Sequence, residues 1–187
     1  MKCMKKKIVF IVLVMFCLPF LSSADKRLPK VYVETLKGER MDIREVLKDS
    51  VPVIITFWST TCKPCMQELD ALAEVYDDWD QEFGVKVVAV SIDDSRMASR
   101  VKAIVAGRGW PFLVVLDKNQ DLKRALNVNS IPQLFLLNDQ GEIVYTHTGY
   151  TPGSELDVYK KLKEIFRPKP RLYQEKKKES KEKKEEK

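Results

Sequence analysis

Soft metal ligands are scarce in this sequence. The 187 residues include four cysteines and one histidine, and two of the cysteines, Cys3 and Cys17, fall in an N-terminal leader-like stretch. What remains is Cys62, Cys65 and His147. A structural zinc site needs four ligands, and His147 lies far along the chain in a separate strand-like run. A disulfide framework needs more cysteines at longer spacing. A surplus of one charge is also missing. The formal net charge is +6, but the first 24 residues carry four lysines and no acid, and without them 29 basic residues face 27 acidic ones. Residues 174–187 hold seven lysines and five glutamates, so the body between is about neutral. A nucleic-acid-binding protein keeps a basic face after such a subtraction, and none is expected here. No internal repeat is visible. The apolar run Ile8–Leu21 is 14 residues long, short of a typical membrane span.

Hydrophobic residues make up 44% and charged residues 32%, which is enough for a packed core, and the length suits one domain. Lys5-Lys6-Lys7, the apolar run and Ser22-Ser23-Ala24 read together as a secretory signal cleaved after Ala24. The flanking charge keeps the N-terminus cytoplasmic, which sends the body out of the cytoplasm to the periplasm or the outer face of the cytoplasmic membrane. An uncleaved N-terminal anchor and a lipoprotein signal ending at Cys17 are the alternatives. Bulky Phe16 argues against the second. The domain then spans 25–167. The Lys/Glu-rich stretch 168–187 has nothing to bury and is expected to be disordered.

Within the domain, Val31–Thr35 and Met41–Ile43 flank Lys37-Gly38-Glu39 as a hairpin, and Ile43–Leu47 suggests a short helix. Val53–Trp58 has no alternation and suits a strand buried on both faces. Met66, Leu69, Leu72, Tyr76, Trp79 and Phe83 recur at helical spacing, predicting a helix from near Cys62 to about Glu82, ended by Gly84. Val85–Ile92 is the next buried strand. A second helix, marked by Met97, Val101, Ile104 and Val105, is expected to stop at Gly107 and Gly109. Phe112–Leu116 reads as a strand and Leu122–Leu126 as a short helix. Leu134–Leu137 and Ile143–His147 form a hairpin across Asn138–Gly141. A final helix carries Leu156, Tyr159, Leu162 and Phe166, with Thr151-Pro152 as its start signal. This order predicts an α/β fold with a mixed central sheet flanked by helices.

Cys62-Lys63-Pro64-Cys65 falls between the buried strand and the first long helix. A disulfide across three residues closes too small a loop to act as a staple, which leaves a redox-active dithiol. A cysteine at a helix N-terminus meets unpaired N–H groups and the positive end of the dipole, and both stabilise a thiolate. Such sites bring the thiol pKa from about 8.5 to roughly 3.5–7. Lys63 adds a nearby cation. Pro64 fits the first turn, where its missing N–H costs nothing. Cys65, deeper in the helix, is the expected resolving thiol.

The stretch Phe57-Trp58 before Cys62-Lys63-Pro64-Cys65, together with Glu68, Ser91-Ile92-Asp93, Ile131-Pro132 and the Asn138–Gly141 hairpin, resembles the thioredoxin superfamily. Within it, the match is to the exported TlpA/ResA-like thiol–disulfide oxidoreductases, over roughly residues 30–166. The resemblance implies a thioredoxin-like fold with an N-terminal β-hairpin and an αβ insertion, the helix at 95–107 and the strand at 112–116. It implies a cis-proline at Pro132 beside the dithiol, with Ile131 shielding the sulfurs, and Glu68 as a proton acceptor tuning the pair. Trp58 is expected to pack at the rim of the site, and His147 to be a strand residue without chemistry. Three positions depart from related patterns: Thr61 replaces the aromatic before the first cysteine, Asp70 replaces a helix proline, and Thr56 stands where cytoplasmic thioredoxins bury an Asp.

The expected activity is thiol–disulfide oxidoreduction, with the Cys62–Cys65 pair itself as the redox centre and no other cofactor or metal. Expected partners are disulfide-containing exported proteins and a membrane or exported electron donor. The resemblance includes reduction of apocytochrome c cysteines before haem attachment. A monomer is expected. Two alternatives remain: a copper-delivery protein using both thiols and His147, which predicts His147 close to Cys62, and a thiol peroxidase, which needs a Thr and Arg cluster that does not precede Cys62.

Overall fold

The central strand is Val53–Trp58, and all six of its residues are buried. The computed structural model describes residues 26–166. The signal segment with Cys17 and Ala24, and the tail at 168–187, lie outside the described residues. The strands are β1 (Tyr32–Thr35), β2 (Arg40–Asp42), β3 (Val53–Trp58), β4 (Lys86–Ser91), β5 (Leu113–Leu116), β6 (Gln133–Leu137) and β7 (Ile143–Thr148). The helices are α1 (Lys63–Phe83), α2 (Ala98–Arg108), α3 (Asp121–Ala125) and α4 (Ser154–Ile165), with 3₁₀ turns at Ile43–Leu47 and Ser95–Met97. One seven-stranded sheet has the order β2-β1-β5-β4-β3-β6-β7. β3, β4 and β5 run parallel. β6, β7, β1 and β2 join antiparallel at the two sides. This is the thioredoxin-like fold, with the N-terminal hairpin and the α2–β5 unit occupying one side of the sheet.

Strand alternation divides the core in two. Ile54 and Trp58 of β3, Val87 and Ala89 of β4, and Leu134 and Leu136 of β6 face α1 and α4, which contribute Leu69, Leu72, Trp79, Phe83, Val158 and Leu162. Val53, Ile55 and Phe57 point the other way, toward Ile43, Val46 and Leu122. A continuous apolar run is thus what a two-faced strand requires. Buried alternate positions cannot slip by one residue without exchanging the two cores.

Two boundaries differ from expectation. α2 runs through Gly107 and ends at Gly109, which adopts φ +65° and donates its N–H to the Val105 carbonyl. A helix stop of this kind needs a left-handed residue, and Gly109 is the one that adopts it. α4 begins at Ser154 rather than at Pro152, with Gly153 before it at φ +97°. Thr151-Pro152 forms the preceding turn instead: the Thr151 N–H donates to Ser154 Oγ (3.1 Å), and that hydroxyl donates to the Thr151 carbonyl (2.7 Å).

Leu136 is fully buried between the sheet and the α1–α4 layer. Leu136→Ala is expected to lower the unfolding free energy by about 2–5 kcal/mol. Urea unfolding reads this directly, and a loss below about 1 kcal/mol would contradict the packing described.

Candidate active site

At the C-terminal end of β3 the chain makes a tight turn, closed by the Cys62 N–H donating to the Ser59 carbonyl (3.1 Å). α1 then starts. Cys62 is its N-cap residue, in an extended conformation, and Cys62 Sγ accepts from the backbone N–H of Cys65 (3.3 Å). Pro64 sits in the first turn, and no acidic residue is present there. Lys63 and Pro64 are exposed, Cys62 is half-buried and Cys65 is fully buried. The two sulfurs form a disulfide with the Cα atoms 5.3 Å apart. One sulfur of the pair is therefore reachable from solvent and the other is sheltered. A nucleophile and a resolving thiol require that asymmetry.

Glu68, one turn beyond Cys65, is also buried, at 4% exposure. Residues three apart share a helix face, so the carboxyl and the inner thiol look the same way. Thr56 comes from β3, on the strand face that α1 covers, and its Oγ1 donates to Glu68 Oε2 (2.5 Å). Burial pushes the Glu68 carboxyl up to about 7, and the Thr56 hydrogen bond opposes this. Tyr150 feels Glu68 in turn: burial first, then the carboxylates of Glu155, Glu68, Glu74 and Asp70, raise its phenol. The Thr56 position and the helix carboxyl are therefore one hydrogen-bonded unit, a pairing that neither residue's sequence context announces.

The Ile131–Pro132 peptide is cis. Gln133 pairs with Phe57 in the β3–β6 register, which puts Pro132 level with Trp58, at the end of the sheet where the Cys62 turn departs. Pro132 is buried and its carbonyl accepts from the Gly149 N–H (2.9 Å). Ile131 is half-buried against both cores. Trp58 does not sit at a rim. It is fully buried, packed edge-on to Trp110 with ring centres 5.1 Å apart. An inward position on a central strand leaves it no other place. It is a floor beneath the site, not a surface for substrate.

Asp70 has a structural task. One carboxylate oxygen accepts from Trp110 Nε1 (2.9 Å) and the other pairs with Arg108, tying α1 to the end of α2. Asp93 lies just past β4 and takes hydrogen bonds from the Thr60 N–H (2.8 Å), Thr60 Oγ1 (3.0 Å) and Ser91 Oγ (2.8 Å). The Asp70 contacts and the Asp93–Thr60 contacts join residues more than thirty positions apart, so no local pattern signals them. His147 sits on edge strand β7, paired with Leu134 and stacked on Tyr145. Among the described residues, no three His, Cys, Asp or Glu side chains are grouped to hold a metal ion.

The curated relatives are named for thiol–disulfide chemistry. The family model described as AhpC/TSA matches residues 24–146. The thiol–disulfide oxidoreductase ResA of Bacillus subtilis is 31% identical over 134 residues, 72% of this chain and 72% of that protein. The chain belongs to the AhpC/TSA family, in its ResA-like thiol–disulfide oxidoreductase branch. A thioredoxin-like protein from Porphyromonas gingivalis, solved in solution, is 45% identical with a TM-score of 0.67, covering 74% of this chain and 91% of that one. StoA from Bacillus subtilis is 27% identical with a TM-score of 0.56, covering 71% of this chain and 99% of that one. The ResA-like assignment agrees with the layout of the dithiol on α1.

Glu68 gives this ResA-like site a pH signature. The folded carboxyl holds its proton to about pH 7, against an ordinary value of 4.5. Folding therefore takes up a proton between those values, and stability falls as pH rises through that window. The shift is worth about 3 kcal/mol, fully lost above the folded value. Glu68→Gln keeps the Thr56 hydrogen bond and removes the titration. In urea unfolding of the oxidised protein at pH 5 and pH 8, the parent is expected to lose about 2–3 kcal/mol more than Glu68→Gln. Equal losses would contradict the buried, protonated carboxyl.

Proposed function

We propose that this ResA-like oxidoreductase works outside the cytoplasm and reduces disulfides in other exported proteins, apocytochrome c cysteines among them. The observation that carries the reading is the half-buried Cys62 at the start of α1, above a fully buried Cys65. The leader-like N-terminus supports an exported site of action.

In the reduced protein, the Cys62 thiolate attacks one sulfur of the substrate disulfide. A Cys62–substrate bond forms and the other substrate sulfur leaves as a thiolate. Deprotonated Cys65 then attacks Cys62 Sγ, the mixed disulfide breaks, and the second substrate thiolate leaves. Two electrons have passed to the substrate, and the pair is left as the disulfide seen here. A membrane-bound or exported dithiol donor completes the cycle by reducing Cys62–Cys65. The donor's first thiolate attacks the reachable Cys62 Sγ and Cys65 leaves; its second thiol then breaks that mixed disulfide and releases Cys62 as the thiolate that the helix N-terminus favours. Glu68, with its carboxyl near neutral, is placed to take the proton of the inner thiol. A copper-delivery role would need His147 with both sulfurs, and the described residues hold no such group.

Cys62→Ser is expected to abolish reduction of a model disulfide by the reduced protein. Cys65→Ser is expected to accumulate mixed disulfides with natural partners, visible on non-reducing gels. A Cys62→Ser protein that reduces the model disulfide as fast as the parent would overturn the assignment. Export is read separately: the protein from its host is expected to begin at Asp25, whereas an intact Met1 indicates an anchor and a lipid on Cys17 a lipoprotein.

A further inference from the structure

We infer that Asp93 is a positioning residue for Cys62: its carboxylate clamps the turn that presents the sulfur to the start of α1. The inference rests on the reading of Cys62 as the nucleophile. The turn Ser59–Cys62 contains one internal backbone hydrogen bond, from the Cys62 N–H to the Ser59 carbonyl. Its other anchors come from outside. The last β3–β4 pair is Trp58 with Ser91, and the Ile92 N–H continues the pairing to the Trp58 carbonyl (2.9 Å). One residue on, Asp93 takes over where the strand ladder ends. Oδ2 accepts from the Thr60 N–H and from Ser91 Oγ, and Oδ1 accepts from Thr60 Oγ1.

Thr60, two residues before Cys62, is 2% exposed, so its backbone N–H has no water to turn to if Asp93 is removed. Its hydroxyl and backbone are gripped by one carboxylate, which fixes the residue in both position and rotation. A carboxylate with three donors is well held, since charge-assisted hydrogen bonds are the strong ones. Ser91 fixes the carboxylate from the rear, and it is itself fully buried on β4. The clamp thus references the turn to β4, a central strand, rather than to the surface. The Cys65 N–H meets Cys62 Sγ only while the turn holds that place. If the turn relaxes, the sulfur leaves the helix N-terminus and its thiolate loses that stabilisation.

The test separates the clamp from the charge. Asp93→Asn and Asp93→Ala lose the same charge. The Asn amide oxygen, in the place of Oδ2, still accepts from the Thr60 N–H and Ser91 Oγ, and its NH₂ group faces the Thr60 hydroxyl, which accepts as well as donates. Ala makes none of these bonds. The rate of iodoacetamide alkylation of Cys62 is measured against pH in each reduced protein, with thermal unfolding of the same samples. The clamp predicts that Cys62 in Asp93→Ala titrates about one pH unit above Cys62 in Asp93→Asn, roughly a tenfold lower reactivity below both values. Superimposed profiles from two folded variants would overturn it. Should Asp93→Ala fail to fold, Thr60→Val deletes one donor and keeps the charge. Cys62 titrating above the parent then supports the clamp, and an unchanged profile overturns it. Alkylation needs no disulfide substrate, so a parent that reduces no disulfide counts against the proposed function and leaves this result standing.

Discussion

Everything at this site depends on a sulfur being held at the amino end of a helix. A thiolate is a buried-edge anion that needs donors, and the first turn of α1 supplies backbone N–H groups that no other residue can use. The Cys65 N–H already points at Cys62 Sγ in the oxidised protein. Reduction places negative charge where a donor and a dipole are waiting. The sheet exists, in functional terms, to fix the start of that helix. β3 is buried along its whole length and ends four residues before Cys62, so the turn between them has a rigid origin.

Around this point the fold places groups in layers. Trp58 and Trp110 form an aromatic floor, and Asp70 holds Trp110 and Arg108 so that the α2 end cannot drift from α1. A proline at position 70 could accept nothing. An aspartate there ties the inserted α2–β5 unit to the catalytic helix, a physical reason for that departure from the family pattern. Thr56 and Glu68 make a second such tie. The acid stands on the helix and the strand supplies a hydroxyl to it. The carboxyl lies on the same face of α1 as the inner thiol, three residues along.

Local signals were legible in the sequence and long-range ones were not. Cys62-Lys63-Pro64-Cys65 declares its own helix start, because a dithiol spacing, a first-turn proline and a preceding apolar strand are all contiguous. The two-faced β3 is equally plain from its unbroken β-branched run. Gly107 looked like a helix stop because spacing alone does not tell which of two nearby glycines takes the left-handed conformation, and Gly109 does. Trp58 looked like a rim residue because proximity in sequence to the cysteines says nothing of the strand face it occupies. Asp93 was visible as part of a strand-end pattern, but its grip on Thr60 spans 33 positions. Glu68 stands out only through the family resemblance, since a helical glutamate is by itself an ordinary surface charge. Its burial and its raised pKa follow from β3 and α1 packing together, which only the fold supplies.

The reduction potential of the Cys62–Cys65 couple tests the central claim most directly. Thiol–disulfide proteins span about −270 to −120 mV, from reductants to strong oxidants. A disulfide reductant with its nucleophile at the start of α1 is expected to titrate as a two-electron couple between about −270 and −220 mV. A value near −120 mV would make the protein an oxidant and contradict the account.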